Sequence, residues 1–247
     1  MQSSTAPLLW AACTILVIAG AAVQVAVGAG LSVVCGFLLI LWLGTAAGVS
    51  TLLCLNFVVS VVATGCGGTR LRWRDVFLVS GATLAGCAAA SVLPSLPEGL
   101  LKGTTACVLI VIALPRPPLP GAPPSHAAAN AGLALAGLVT GMLTVWTAVP
   151  GPITPVVMAR AGRSGAEIRR TMQPVSVVGY GAALAWGGAT SVGTVGRAIL
   201  VGLIAATLLG TGLGFLLRPR LDPAHVVLVI RSVAGVAALV LVFSLFG

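Results

Sequence analysis

Charge is scarce in this chain of 247 residues: 7% of the side chains are charged, only four are acidic, and Lys102 is the single lysine among thirteen basic residues. A soluble domain carries about 25% charged residues, so with 58% hydrophobic residues nothing would cover a soluble fold of this length. The four acids, Asp75, Glu98, Glu167 and Asp222, all fall at the ends of apolar runs. No carboxylate sits inside one, which argues against an intramembrane proton relay and against paired-carboxylate catalysis. Glu98 and Lys102, four apart, read as a surface pair.

Metal and thiol chemistry are equally thin. Cys13, Cys35, Cys54, Cys66, Cys87 and Cys107 form no C-x-x-C pair, and His126 and His225 fall in loops, so metal-ligand spacing is absent. The cysteines read as small packing residues, and no Ser–His–Asp set or Asp-rich motif is present. The reading is of a non-enzyme with neither cofactor nor metal. No Lys or Arg precedes Arg70, so the first apolar run lacks the basic start of a cleaved signal peptide and is expected to remain as a membrane segment. The net charge of +9 would suggest nucleic acid in a soluble protein. Here the arginines cluster in short loops, as the positive-inside rule requires, so the expected partner is the bilayer and not nucleic acid.

What is present is a series of apolar runs long enough to cross about 30 Å of hydrocarbon. The expected fold is an all-α polytopic membrane protein. Its first half, 1–115, holds a broken segment over 7–43 (interrupted at Gly28–Gly30) and spans at 45–64, 76–94 and 99–115. A proline-rich linker occupies 116–127. The second half, 128–247, repeats the plan: a segment over 128–159 broken at Pro150–Pro155, then spans at 171–190, 195–217 and 226–246. "LNFVVSVVATG" (55–65) and "MQPVSVVGYG" (172–181) align with one gap. The basic loop Arg70–Arg74 of the first half has a nearly uncharged equivalent in the second. The basic loops 160–170 and 218–225 of the second half have nearly uncharged equivalents in the first. Equivalent loops therefore fall on opposite sides of the membrane, and two inverted repeats are expected.

The pieces 31–43 and 151–159 are too short to span at about 1.5 Å per residue, which makes each broken segment a re-entrant or sharply bent hairpin. Lipid leaves backbone groups unsatisfied, so irregular backbone at depth must face protein or a cavity. A helix beginning there offers amides and a partial positive charge to an anion. The candidate substrate residues are Gln24, Gly28, Gly30, Ser32 and Asn56 in the first half. In the second they are Gly141, Thr147, Gly151, Pro152, Thr154 and Gln173. Thr144, Ser176 and Tyr180 lie nearby, with Trp42, Trp146 and Trp186 as candidate cavity walls.

"AAVQVAVGAGLSVVCGFLL" (21–39) resembles the first signature of the sulfite exporter TauE/SafE family, which includes 4-toluene sulfonate uptake permease-like transporters. "AGLVTGMLTVWTAVPGPITPVV" (136–157) resembles its second signature. The resemblance covers nearly the whole chain. It implies a transporter of the inner membrane moving sulfite, sulfoacetate or other organosulfonates, with Gln24, Gly28, Gly30, Gly141, Gly151 and Pro152 along the substrate path. A homodimer is compatible with it. With no buried carboxylate, the simplest energetics is movement down the membrane potential, about 2.3 kcal/mol per charge per 100 mV, which favours export of an anion. Two rival readings are a membrane enzyme acting on a lipid-linked or thiol substrate, and a non-transporting partner subunit whose breaks serve packing alone.

Overall fold

The computed structural model describes residues 5–28, 30–66, 71–93, 97–114, 125–149, 153–188, 193, 195–218 and 223–243. Among these every regular element is helical: α1 (Thr5–Val27), α2 (Leu31–Leu43), α3 (Thr45–Gly65), α4 (Trp73–Val92), α5 (Glu98–Ala113), α6 (His126–Thr147), α7 (Ile153–Arg160), α8 (Gly165–Ala183), α9 (Arg197–Leu217) and α10 (Pro223–Phe243). A π-helical turn, Leu184–Gly188, continues α8. Five helices are long and apolar enough to cross a bilayer: Pro7–Ala26, Thr45–Gly65, Trp73–Val92, His126–Thr147 and Arg197–Leu217. Large apolar side chains such as Leu8, Phe77, Val92, Val201 and Leu239 point outward, where lipid replaces water as the solvent. The chain is a helical membrane protein.

Where chain segments touch, the residues in contact set the helix directions. Trp10 of α1 packs in a tilted arrangement against Trp42 of α2, with ring centroids 5.9 Å apart, while Gly20 of α1 faces Leu31 at the opposite end of α2. These two helices form an antiparallel hairpin. Gly132 faces Val157 and Thr140 meets Thr154, so α6 and α7 form a second one. Gly210 and Gly214 of α9 seat against Ile18 and Ala22 of α1, in that order, so the two helices are parallel. Gly137 and Gly141 of α6 likewise seat against Val79 and Thr83 of α4. Such small-xxx-small pairs let helices approach closely where no hydrophobic effect drives association.

From these contacts α1, α3 and α9 run one way and α4, α6 and α8 the other. Gly181 faces Phe57, and Gln173 and Arg170 share a cavity with Ala63 and Thr64, which makes α3 and α8 antiparallel neighbours. The largest apolar core joins Cys13, Val17 and Ala21 of α1 to Leu31, Cys35 and Leu39 of α2, with Leu52, Leu55 and Val59 of α3 beside them. A second joins α4, α6, α7 and α8 through Val79, Leu133, Met158, Met172 and Val175.

Candidate functional site at the meeting of the two helix breaks

The first break is built by Gln24 and two glycines. Gly28 has φ +100°, a conformation that strains any residue with a Cβ, and its amide donates to the Gln24 carbonyl at 2.7 Å. Three residues beyond Gly28 the Leu31 amide donates to the Gln24 side chain, itself buried, at 3.1 Å. The side chain thereby satisfies one of the orphan donors at the start of α2, in the way a capping residue does. Gly30 lies so close to α1 that a Cβ there would sit 2.6 Å from Val23 Cγ1. The next first-turn amides, those of Ser32 and Val33, have no acceptor within the helix.

At the second break the chain uses other means. Thr147 Oγ1 donates to the Leu143 carbonyl at 2.8 Å and accepts from the Val149 amide at 3.1 Å. Ala148, fully buried, stands in the left-handed region at φ 53° and ψ 12°. Gly151 and Pro152, with Pro150, lie outside the described residues. The return arm α7 is held to α6 by a bond between Thr140 Oγ1 and Thr154 Oγ1 at 2.8 Å.

The two breaks meet. Ser32 Oγ donates to the Ala148 carbonyl at 2.7 Å, across 116 residues of chain. Asn56 Nδ2 donates to Ser32 Oγ at 2.8 Å and to the Leu52 carbonyl at 2.7 Å, and Tyr180 lies within interaction range of Ser32. One helical step away, Gln24 Nε2 lies 3.5 Å from Ser60 Oγ, and Gln173 Nε2 lies 3.5 Å from the Gln24 carbonyl. Asn56 Oδ1 and Gln173 Oε1 are buried without a partner. The junction is dense in hydroxyl and amide groups and holds no carboxylate.

The structure brings Gln24, Gly28, Gly30, Ser32, Asn56 and Gln173 to the first break, with Thr147 beside Ala148 at the junction. Thr154 faces Thr140, about two turns of α6 before Thr147. Gly141 sits at the α4–α6 contact, where a Cβ would overlap the Thr83 carbonyl. Two cavities flank α8. One, an open hollow of about 220 Å³, is lined by Thr83, Thr140, Thr144, Ser176 and Tyr180. The other, about 410 Å³, is lined by Thr64, Arg169, Arg170, Gln173 and Arg218. Gln173 lies four residues beyond Arg169 along α8, about 6 Å at the helical rise, so the second cavity adjoins the first break.

Beside the arginine-lined cavity, on the same side of the molecule, an ion-pair network ties the halves together. Contrary to the expectation that no carboxylate is buried, Asp75 in the first turn of α4 is buried, because Arg163 packs over it: Asp75 accepts from Arg163 Nε at 2.8 Å and Nη2 at 3.2 Å, a bidentate geometry. Arg72 Nε lies 3.4 Å from Asp75 and its Nη1 donates to Glu167 at 3.1 Å. Glu167 also closes a capping box with Ser164 at the start of α8. These bonds from Ser164, with the contact to Arg72, push the Glu167 carboxyl down to about 2.

No family model, curated protein or solved structure matches the chain. The site's chemistry therefore has to be read from its own atoms. Among the described residues no group of three His, Cys, Asp or Glu side chains could hold a metal ion. What the junction can offer a negatively charged group is the first-turn amides of α2, those of Ser32 and Val33; its unpartnered side-chain atoms, Asn56 Oδ1 and Gln173 Oε1, are acceptors. Sequence reasoning missed Ser60, Ala148 and the arginine-lined cavity. For Arg169, Arg170 and Arg218 the signal was present, but loop arginines are already accounted for by the positive-inside rule.

Proposed function

We propose that this protein is a secondary carrier for a small sulfur-containing anion such as sulfite or an organosulfonate, of the TauE/SafE kind, working in the cell's inner membrane. The anion is held at the ends of the two broken helices and released by one half rocking against the other. The observation that carries this reading is the bond from Ser32 to the Ala148 carbonyl, which joins the two helix breaks within one polar cluster. A chain that broke its helices only for packing would have no need to bring both breaks to buried amide and hydroxyl side chains.

Inverted repeats are part of the proposal, and the helix pairing supports them. Exchanging the halves carries α1 onto α6 and α4 onto α9, so the parallel α1–α9 pair maps onto the parallel α6–α4 pair. The central α3–α8 and the outer α5–α10 pairs each map onto themselves. The two broken segments run in opposite directions, as an inverted repeat requires.

Counterflow in proteoliposomes tests the function, with sulfite, thiosulfate, sulfoacetate and an aromatic sulfonate offered in parallel. Selective accumulation of one anion, abolished by Gly28→Leu in correctly inserted protein, is the expected result. Silence across the panel from folded protein, or full transport by Gly28→Leu, would overturn the reading.

A further inference from the structure

The cavity of about 410 Å³ beside the first break differs from an ordinary basic loop. Arginines placed by the positive-inside rule extend into water and need no partner. Here Arg169, Arg170 and Arg218 are only part-exposed. The Nε groups of Arg169 and Arg170 are buried with no hydrogen-bond partner, as are Thr64 Oγ1 and Gln173 Oε1. Arg169 Nη1 donates to the Ala26 carbonyl at 3.3 Å. None of the three arginines pairs with a carboxylate among the described residues, while Arg72 and Arg163 nearby are matched by Asp75 and Glu167. Burial, then Arg218 and Arg170, lower the affinity of Arg169 for its proton. Three cations line one cavity, with unpaired N–H groups on two of them, and no described residue supplies an anionic acceptor. Guanidinium forks suit tetrahedral oxyanions, which they grip in bidentate fashion.

We propose that Arg169, Arg170 and Arg218, with Thr64, form a binding site for a tetrahedral oxyanion head group (sulfonate, sulfate or phosphate) next to the Gln24–Gln173 contact. Its role as the place where a substrate anion enters or leaves rests on the transport reading; the binding itself does not.

The test is equilibrium dialysis of the full chain in detergent against radiolabelled sulfate, at constant ionic strength made up with chloride. Saturable binding is expected, weakened about tenfold or more in the Arg170→Gln/Arg218→Gln double variant. The Arg170→Lys/Arg218→Lys pair keeps the charge but loses the fork, and should fall between. Each single Gln variant guards against a double variant that fails to fold. Absence of saturable binding in the parent protein, or unchanged binding in folded Gln variants, overturns the proposal. Repeating the dialysis in phosphatidylcholine nanodiscs with and without phosphatidylglycerol separates the sources. Undiminished sulfate binding identifies a free anion as the occupant, and competition by the anionic lipid identifies its head group; both uphold the site. Arginine-dependent sulfate binding with silent counterflow would remove the transport reading and leave this site standing. Counterflow with arginine-independent binding would do the reverse.

Discussion

At the first break the chain turns through Gly28, at φ +100°, and restarts its helix under a cap from Gln24; at the second it turns through Ala148, at φ 53°, stabilised by Thr147. Glycine reaches φ +100° without strain, whereas alanine in the left-handed region costs about 1–2 kcal/mol. The two hairpins are also anchored differently. The α1–α2 hairpin is held by apolar packing, including Trp10 against Trp42, and its polar groups gather at the tip. The α6–α7 hairpin is tied near the far end of its return arm by Arg163 and Asp75. Related plans can thus be closed by different chemistry. The first tip is preorganised by a buried amide network, while the second contributes a carbonyl whose direction is set by one left-handed residue.

The largest effect should come from the tie that only the second hairpin has. Asp75→Ala leaves Arg163 without its bidentate partner and should cost about 3 kcal/mol, somewhat less if Arg163 turns to solvent. Thermal unfolding of the detergent-solubilised protein reads this directly, and an unchanged midpoint would show that the hairpin does not depend on the tie. Next come the two turning residues. Gly28→Ala should destabilise by about 1–3 kcal/mol, whereas Ala148→Gly should stay within about 1 kcal/mol of the parent, since relief of strain offsets added freedom in the unfolded chain. Equal losses at both positions would erase the distinction drawn between the breaks.

Smaller effects follow from the hydrogen bonds. Ser32→Ala and Thr154→Val should each cost about 1 kcal/mol. Combining Ser32→Ala with Asn56→Ala should be clearly non-additive, because the two side chains share a bond. Combining Ser32→Ala with Thr154→Val should be additive within about 0.5 kcal/mol. A double-mutant cycle that couples Ser32 to Thr154 instead would mean that the two hairpin contacts form one network.

The smallest effect belongs to Glu167. Its pKa is lowered from the ordinary 4.5 to about 2, so the carboxylate stabilises the start of α8 fully above pH 4.5. That contribution fades as pH falls towards 2. The gap in unfolding temperature between parent and Glu167→Gln should therefore narrow below pH 4.5. A gap constant from pH 6 to 3 would refute the assignment.

Much of the helical layout could be read from the residues in order. The apolar run 45–64 is observed as Thr45–Gly65, and the first interruption falls at Gly28–Gly30, because hydropathy and glycine act locally. The start of α8 was misplaced: Arg169 and Arg170 belong to the helix and not to the loop 160–170. The Ser164-x-x-Glu167 capping box was the signal that could have located it. Gly141, read as part of the substrate path, packs α6 onto α4, since a glycine on a helix face has the same sequence signature in either role. Asn56 and Gln173, aligned as equivalents, take different partners, Ser32 and Gln24.

By itself, then, the sequence determined that this chain lives in a membrane as helices, that two of its segments are interrupted, and where its cations lie. These are properties of composition and of spacing within a few residues, which any packing of the chain must respect. Only the tertiary structure decided that Ser32 reaches Ala148, that Gln24 caps the helix following its own break, and that three arginines surround a cavity without a described carboxylate. Those outcomes depend on contacts between residues as far as 149 positions apart, and helix packing that brings them together leaves no pattern in the local order of side chains.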